Sequence, residues 1–445
     1  MSSSERFPVI ATKLEVSLEP GPRLPAGLSY RNDPKSDQTN NLAITAPKEM
    51  KTMTTTINQA TINGVNVDAL EQSIAAMKDD PRVAAFQFRS SSRWLGGAVI
   101  ASTFAGYLQD GLYVARDTPH ELGGDEPAAL LGTGTQVSPT GHLLHALSHS
   151  LAVALAYHGA ARRVEIESIK IDVEGKLDLQ GLLGLDETVK PGFKHIHVTF
   201  RLDSPNSSAE VYDLFQYVQA RSPIASTLSQ AVNVQWNFEI EESNSRPESD
   251  EVRHGVNVKD LVATVGAIQE NPVLARCNFY GSAEWEGGAR VKSSSPGFDQ
   301  AEGDQIIRHR DPAPKGYVGD EPKALLGSDA GPSSAEALLQ SMANCVTVTS
   351  SYHAAARGIA LDAFEVDFEG DMDLRGFVDV DDTVSPGYQN IRANVYVKAG
   401  APRSEVEEFM KFATQHSPMC NSVSKPVQLT FSLVHNGSCV GGPGR

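Results

Sequence analysis

Residues 341–359 read SMANCVTVTSSYHAAARGI, and residues 146–164 read ALSHSLAVALAYHGAARRV. The two strings share Tyr-His and Ala-Ala-Arg at identical offsets, and neither carries a charged side chain before its last turn. A helix with so little polar face can only be central and buried. The strings differ where chemistry would notice: Cys345 in the later one is Ser150 in the earlier one.

The repetition continues in both directions. Gly64-Val65-Asn66-Val67 returns as Gly255-Val256-Asn257-Val258, and Trp94 with Gly96-Gly97 returns as Trp285 with Gly287-Gly288, both offset by 191. Asp125-Glu126-Pro127, Tyr157-His158, Glu174-Gly175, Pro191-Gly192 and Ser222-Pro223 all return at an offset of 195. The register therefore changes by four residues between Trp94 and Asp125, which is one short loop insertion. Landmarks held in register over so long a span mean a duplicated domain. We place the copies at 59–242 and 251–436, joined by the polar, acidic linker 243–250 and followed by a loose tail, 437–445. Residues 1–58 match neither copy and read as an irregular, mostly disordered extension.

Each copy has the same order of patterns. A short amphipathic helix (67–78; 258–269) precedes alternating stretches such as AAFQFRS and RCNFYGS, which lead to a Gly-Gly turn. The long apolar helix follows (139–161; 333–357), then an alternating strand, a loop punctuated by Gly and Pro, another strand, a second long helix (208–220; 403–416), a short helix after Ser-Pro, and a closing strand. The class is α+β, with antiparallel-rich sheets around central buried helices.

Bulk properties narrow the function. At 445 residues the chain suggests two or three domains. A net charge of −17 argues against a nucleic-acid surface. There is no apolar run of membrane-spanning length, and the N-terminus lacks a signal-peptide pattern. Four cysteines, at 277, 345, 420 and 439, have neither disulfide-framework nor metal-ligand spacing. A reducing, cytoplasmic setting follows as the expectation, with no metal, cofactor, nucleic acid or membrane partner.

The segments LLQSMANCVTVTSSYHAAARGI, FEGDMDLRGF, TVSPGYQNIRANVYV and HSPMCNSV, with their first-copy counterparts, resemble the OsmC/Ohr superfamily, the osmotically induced and organic hydroperoxide resistance proteins. The resemblance covers both copies and implies two OsmC-like domains forming an intramolecular pseudo-dimer, two six-stranded sheets wrapped around paired helices. It also implies thiol-dependent reduction of organic hydroperoxides, with electrons returned by a dithiol reductant of the lipoamide type. Carried over residue by residue, the nucleophile position is Cys345, the helix-start glutamate is Glu336, and the resolving position is Ser417. In the first copy these positions hold Ser150, Gly141 and Ser222. Site chemistry is thus expected in the second copy, with the first structural.

Residues kept by both copies are expected to be scaffold: His158 and His353, Tyr157 and Tyr352, and Glu174 and Glu369, the glutamates read as turn-associated. Cys345 is either a buried, inert thiol or a nucleophile, and as a nucleophile in mid-helix it needs a nearby cation. The resemblance implies that this cation is an arginine of the early hairpin near Trp-x-Gly, for which Arg290, and Arg93 reaching across from the first copy, are the candidates. Cys420 falls at the third position of the short helix after Ser417 and is either a core-facing slot or a stand-in for the missing resolving thiol. Cys277 reads as structural and Cys439 as incidental. The leading function is reduction of alkyl or lipid hydroperoxides. The alternatives are an OsmC-fold binding or interaction protein without turnover, and a thiol enzyme of non-peroxide chemistry. Whether the unit pairs further is left open.

Overall fold

A computed structural model describes residues 61–442; the expectation for 1–58 lies outside the described residues. The first copy runs through the ribbon β1 (Thr61–Ile62) and β2 (Val65–Asn66), helix α1 (Val67–Asp79), the meander β3 (Ala85–Gly96), β4 (Val99–Gln109) and β5 (Leu112–Gly124), and the central helix α2 (Pro139–Ala161). It continues with β6 (Ser168–Asp178), α3 (Leu179–Leu183), β7 (His195–Asp203), α4 (Ser208–Arg221), α5 (Pro223–Ser229) and β8 (Val234–Glu242). The second copy repeats the order: β9 (Val252–Arg253), β10 (Val256–Asn257), α6 (Val258–Glu270), β11 (Arg276–Gly287), β12 (Arg290–Glu302), β13 (Gln305–Lys315), β14 (Val318–Gly319) and α7 (Ser334–Arg357). Then come β15 (Leu361–Asp373), β16 (Tyr388–Ala399), α8 (Arg403–His416), α9 (Pro418–Ser424), β17 (Gln428–His435) and β18 (Ser438–Gly441).

Apart from the ribbons β1–β2 and β9–β10, neither copy builds a sheet of its own. One sheet has the order β5-β4-β3-β15-β16-β8, and the other has β13-β12-β11-β6-β7-β17-β18 with β14 added on β12. The copies join through antiparallel β3–β15, where Glu365 faces Arg93 and Asp373 faces Ala85, and through β6–β11. They join again through the parallel pairs β16–β8 and β7–β17. The second sheet exceeds the expected six strands because Val318–Gly319 and Ser438–Gly441 also pair. The tail expected to be loose therefore contributes an edge strand up to Gly441.

The landmarks shared by both copies mark close approaches. Gly64 has φ +70°, and a Cβ there would lie 2.5 Å from the Gly288 amide. Gly255, with φ +89°, meets Gly97 in the same way, so each ribbon turn is pressed on the other copy's Trp-x-Gly-Gly hairpin. The Glu-Gly dipeptides correct the sequence reading: they lie within strands, not in turns. Cβ atoms at Gly175 and Gly370 would collide with the rings of Phe193 and Tyr388, at 2.6 and 2.3 Å, while Glu369 pairs with Arg89 and Arg392 on the sheet surface.

Helices α2 and α7 are buried over almost their whole lengths between the sheets. Ser138 caps α2, and Ser333 with Glu336 forms a capping box on α7. The Ser341 hydroxyl donates to the Pro139 carbonyl at 2.7 Å, which ties the start of α2 to the middle of α7. That crossing creates the two cavities described next.

Candidate functional site

Two apolar cavities lie at equivalent places. One is lined by Cys345, Thr349, Tyr352 and Pro418 of the second copy, together with Glu126, Leu130, Leu131, Pro139 and Thr140 of the first. The other is lined by Ser150, Val153, Tyr157 and Pro223 of the first copy, with Glu321, Leu325, Leu326, Ser334 and Ala335 of the second. Each cavity thus pairs the middle of one central helix with the start of the other. Tyr352 and Tyr157 donate to the Leu130 and Leu325 carbonyls at 2.6 and 2.5 Å, which identifies them as structural braces.

Cys345 is buried, and burial pushes its thiol up to about 12. The neighbouring Ser417 hydroxyl and the Met419 amide, 3.4 Å from Sγ, oppose the rise, whereas Glu126 adds to it. Ser417 and Pro418 occupy the N-cap and first position of α9 as expected, which puts Cys420 in its first turn. The Cys420 thiol donates to the Met342 carbonyl at 3.7 Å, one turn before Cys345 on α7. Burial and the adjacent Cys345 raise it still further. At the other cavity, Ser150 and Ser222, the counterparts of Cys345 and Ser417, share a hydrogen bond of 2.9 Å, and Ala225 stands where Cys420 would be.

Two expectations about the thiol's neighbours are corrected. Arg290 is an exposed hairpin residue paired with Glu286 at 2.7 Å, and Arg93 lies on the exposed face of β3; neither lines the thiol cavity. Glu336 is not beside Cys345 either. Helical rise over nine residues carries it about 13 Å away, and it receives Arg116 at 2.7 and 3.1 Å. That glutamate acts electrostatically on Glu321, a wall residue of the Ser150 cavity. Arg116 also donates to Asp329 at 2.9 Å.

The sequence reading missed Arg116. Its signal was an asymmetry at the offset of 195, where Arg116, Glu336 and Asp329 correspond to Asp311, Gly141 and Gly134. The ionic cluster therefore exists at only one cavity, and the thiol at only the other. Burial also pushes the His158 and His353 rings down to about 4; His158 packs on Tyr217 and Phe377, and His353 bonds the Leu182 carbonyl at 3.0 Å. Cys277 is buried on β11 and raised to about 12, while Cys439 is exposed on the edge strand β18.

The OsmC-like protein family model matches residues 132–237 and again 327–432. The chain carries two OsmC-like domains in tandem. A crystal structure of an OsmC-like protein from Mycoplasma pneumoniae is similar at 19% identity, covering 29% of this chain and 78% of that one, with a TM-score of 0.23. No curated protein matches the chain. Each match within the tandem spans a central helix and the strands and helices after it, and the family includes peroxidases. Among the described residues no helix is long and apolar enough to cross a membrane, and no cluster of three or more His, Cys, Asp or Glu could hold a metal.

Proposed function

We propose that this tandem OsmC-like chain reduces apolar organic hydroperoxides through Cys345, with Cys420 as the resolving thiol. The observation that carries the reading is the pairing of a sulfur on an apolar cavity wall with a second thiol in the first turn of α9, a turn that also aims the Met419 amide at Cys345. Leucine-rich walls favour an alkyl or lipid peroxide over hydrogen peroxide, because a small polar oxidant gains nothing from burying apolar surface. Attack yields a sulfenic acid at Cys345, and condensation with Cys420 yields a disulfide and water. A dithiol of the lipoamide type returns the protein to its reduced state.

A second reading, a protein that binds an apolar ligand without turnover, is favoured by one observation: the Arg116–Glu336 pair acts on Glu321, a wall residue of the cavity that lacks a thiol. Treatment of the reduced protein with tert-butyl hydroperoxide, followed by mass spectrometry, separates the two. The proposal expects a Cys345–Cys420 disulfide at low peroxide and complete loss of turnover in Cys345→Ser. Unmodified Cys345 at high peroxide, with no turnover in the wild type, would leave the binding reading, and full activity in that variant would overturn both.

A further inference from the structure

The two cavities differ in how their single carboxyl is satisfied. Glu321 accepts from the Ser334 hydroxyl and amide, at 3.0 and 3.4 Å. The matching residue at the thiol cavity is Pro139, which has neither an amide hydrogen nor a hydroxyl. Glu126 accordingly keeps a fully buried Oε2 with no hydrogen-bond partner among the described residues. An unpaired buried carboxylate oxygen is costly, and such a group retains its proton instead.

The surroundings of Glu126 enforce that state. Asp125, its chain neighbour, is held by the amides and hydroxyls of Thr133 and Thr135 and by the Glu126 amide. Burial and the Asp125 charge raise the Glu126 carboxyl to about 8. The other titratable groups in electrostatic contact are Cys345 and Tyr352, both on α7 and both uncharged at neutral pH. No cation is among the causes that shift Cys345. The thiol cavity thus holds one acid and one thiol, with Thr140, Thr264, Thr349 and Tyr352 among otherwise apolar walls.

We propose that Glu126 is the proton relay of the thiol cavity, moving the Cys345 proton to the departing oxygen of an organic hydroperoxide. The inference rests on the peroxidase reading above. Sulfur attacks the terminal peroxide oxygen; the S–O bond forms as the O–O bond breaks, and the electron pair leaves on the alkoxide oxygen. One carboxyl oxygen of Glu126 gives its proton to that alkoxide while the other takes the proton of the thiol. The thiol is oxidised to a sulfenic acid, the hydroperoxide is reduced to an alcohol, and Glu126 ends as neutral as it began. A proton relay removes the need for a preformed thiolate, and so for the arginine absent from this cavity.

The test compares two reactions of Cys345 in the full chain: single-turnover oxidation by tert-butyl hydroperoxide, and alkylation by iodoacetamide, whose iodide leaving group needs no proton. Glu126→Gln is expected to slow oxidation by about 100-fold and to leave alkylation unchanged within about twofold. Glu126→Asp, which keeps an acid, is expected to recover part of the loss. Should the glutamine variant not fold, Pro139→Ser answers the same question. It gives Glu126 the partner that Glu321 has, and is expected to slow oxidation alone. Oxidation at the wild-type rate in these variants, or an equal loss of both reactions, overturns the relay while the thiol reading stands. Wild-type Cys345 that resists peroxide overturns both.

Discussion

Arg116 and Glu336 meet in two parallel hydrogen bonds, with only 3% and 0% of their side chains exposed. Removing one partner of such a pair strands a buried charge and costs about 3–5 kcal/mol. Arg116→Met, which strands Glu336, should lower the urea midpoint accordingly, and Glu336→Gln should lower it less, because Arg116 keeps Asp329. Their folded fractions should oxidise at Cys345 within about twofold of wild type, because the pair adjoins the opposite cavity; urea titration and peroxide kinetics on the same samples check both. A large, selective loss of Cys345 oxidation would return Glu336 to the thiol's chemistry. At this scale the sequence was legible where chemistry is local. The Ser-Pro cap that brings Cys420 into the first turn of α9 follows from residue types alone. The partners of Cys345 and Glu336 were not legible, because they come from the crossing of α2 and α7. A residue nine positions away on one helix is far in space, whereas Glu126, more than two hundred positions away, shares the thiol's cavity.

Helix α2 carries His142, His145 and His149 along one buried side, where α7 has Ala337, Gln340 and Asn344. Burial holds His142 and His149 down to about 4 and His145 well below its ordinary value. Both ring nitrogens of His145 and Nδ1 of His149 lack partners among the described residues, and a Cβ on Gly319 would strike the two rings at 3.1 and 2.6 Å. A folded state that keeps these rings neutral binds fewer protons than the unfolded chain once pH falls below about 6.5. Their contribution is complete above that pH and is lost progressively down to about 4, at roughly 3 kcal/mol for each fully shifted ring. Replacing His145 and His149 by the glutamine and asparagine of α7 should flatten this acid loss, measured as the urea midpoint from pH 7 to 4. An unchanged slope would mean that the rings titrate freely. The existence and bounds of α2 were plain in the sequence because an uncharged run of that length has no other home. The polar stripe inside it was not, since periodicity describes apolar faces and says nothing of buried imidazoles packed on a glycine.

Each of the two large sheets draws strands from both copies, and the interface between copies is the core itself. The repeat spacing revealed two domains, but spacing cannot tell paired domains from beads on a string. That distinction lies in β3–β15 and β6–β11, where the paired residues come from different copies and lie far apart in the chain. A chain limited to 251–442 would expose the edge of β15 that β3 covers, the edge of β11 that β6 covers, and one face of α7. Unpaired edges and an apolar helix face of this size are incompatible with a stable monomer. Expressed alone, 251–442 should be insoluble or form a homodimer in which a second copy supplies the missing strands. Such a dimer would carry two Cys345 cavities, and its α7 starts would place Ser334, not Pro139, against each Glu126 equivalent. Co-expression of 61–242 with 251–442 should restore a one-to-one complex, because the cut falls in the exposed linker 243–250 and breaks no sheet pairing. Size-exclusion chromatography with light scattering distinguishes these outcomes. A well-folded monomer of 251–442 would show that the copies are separable domains, and that the cavities do not depend on their interleaving.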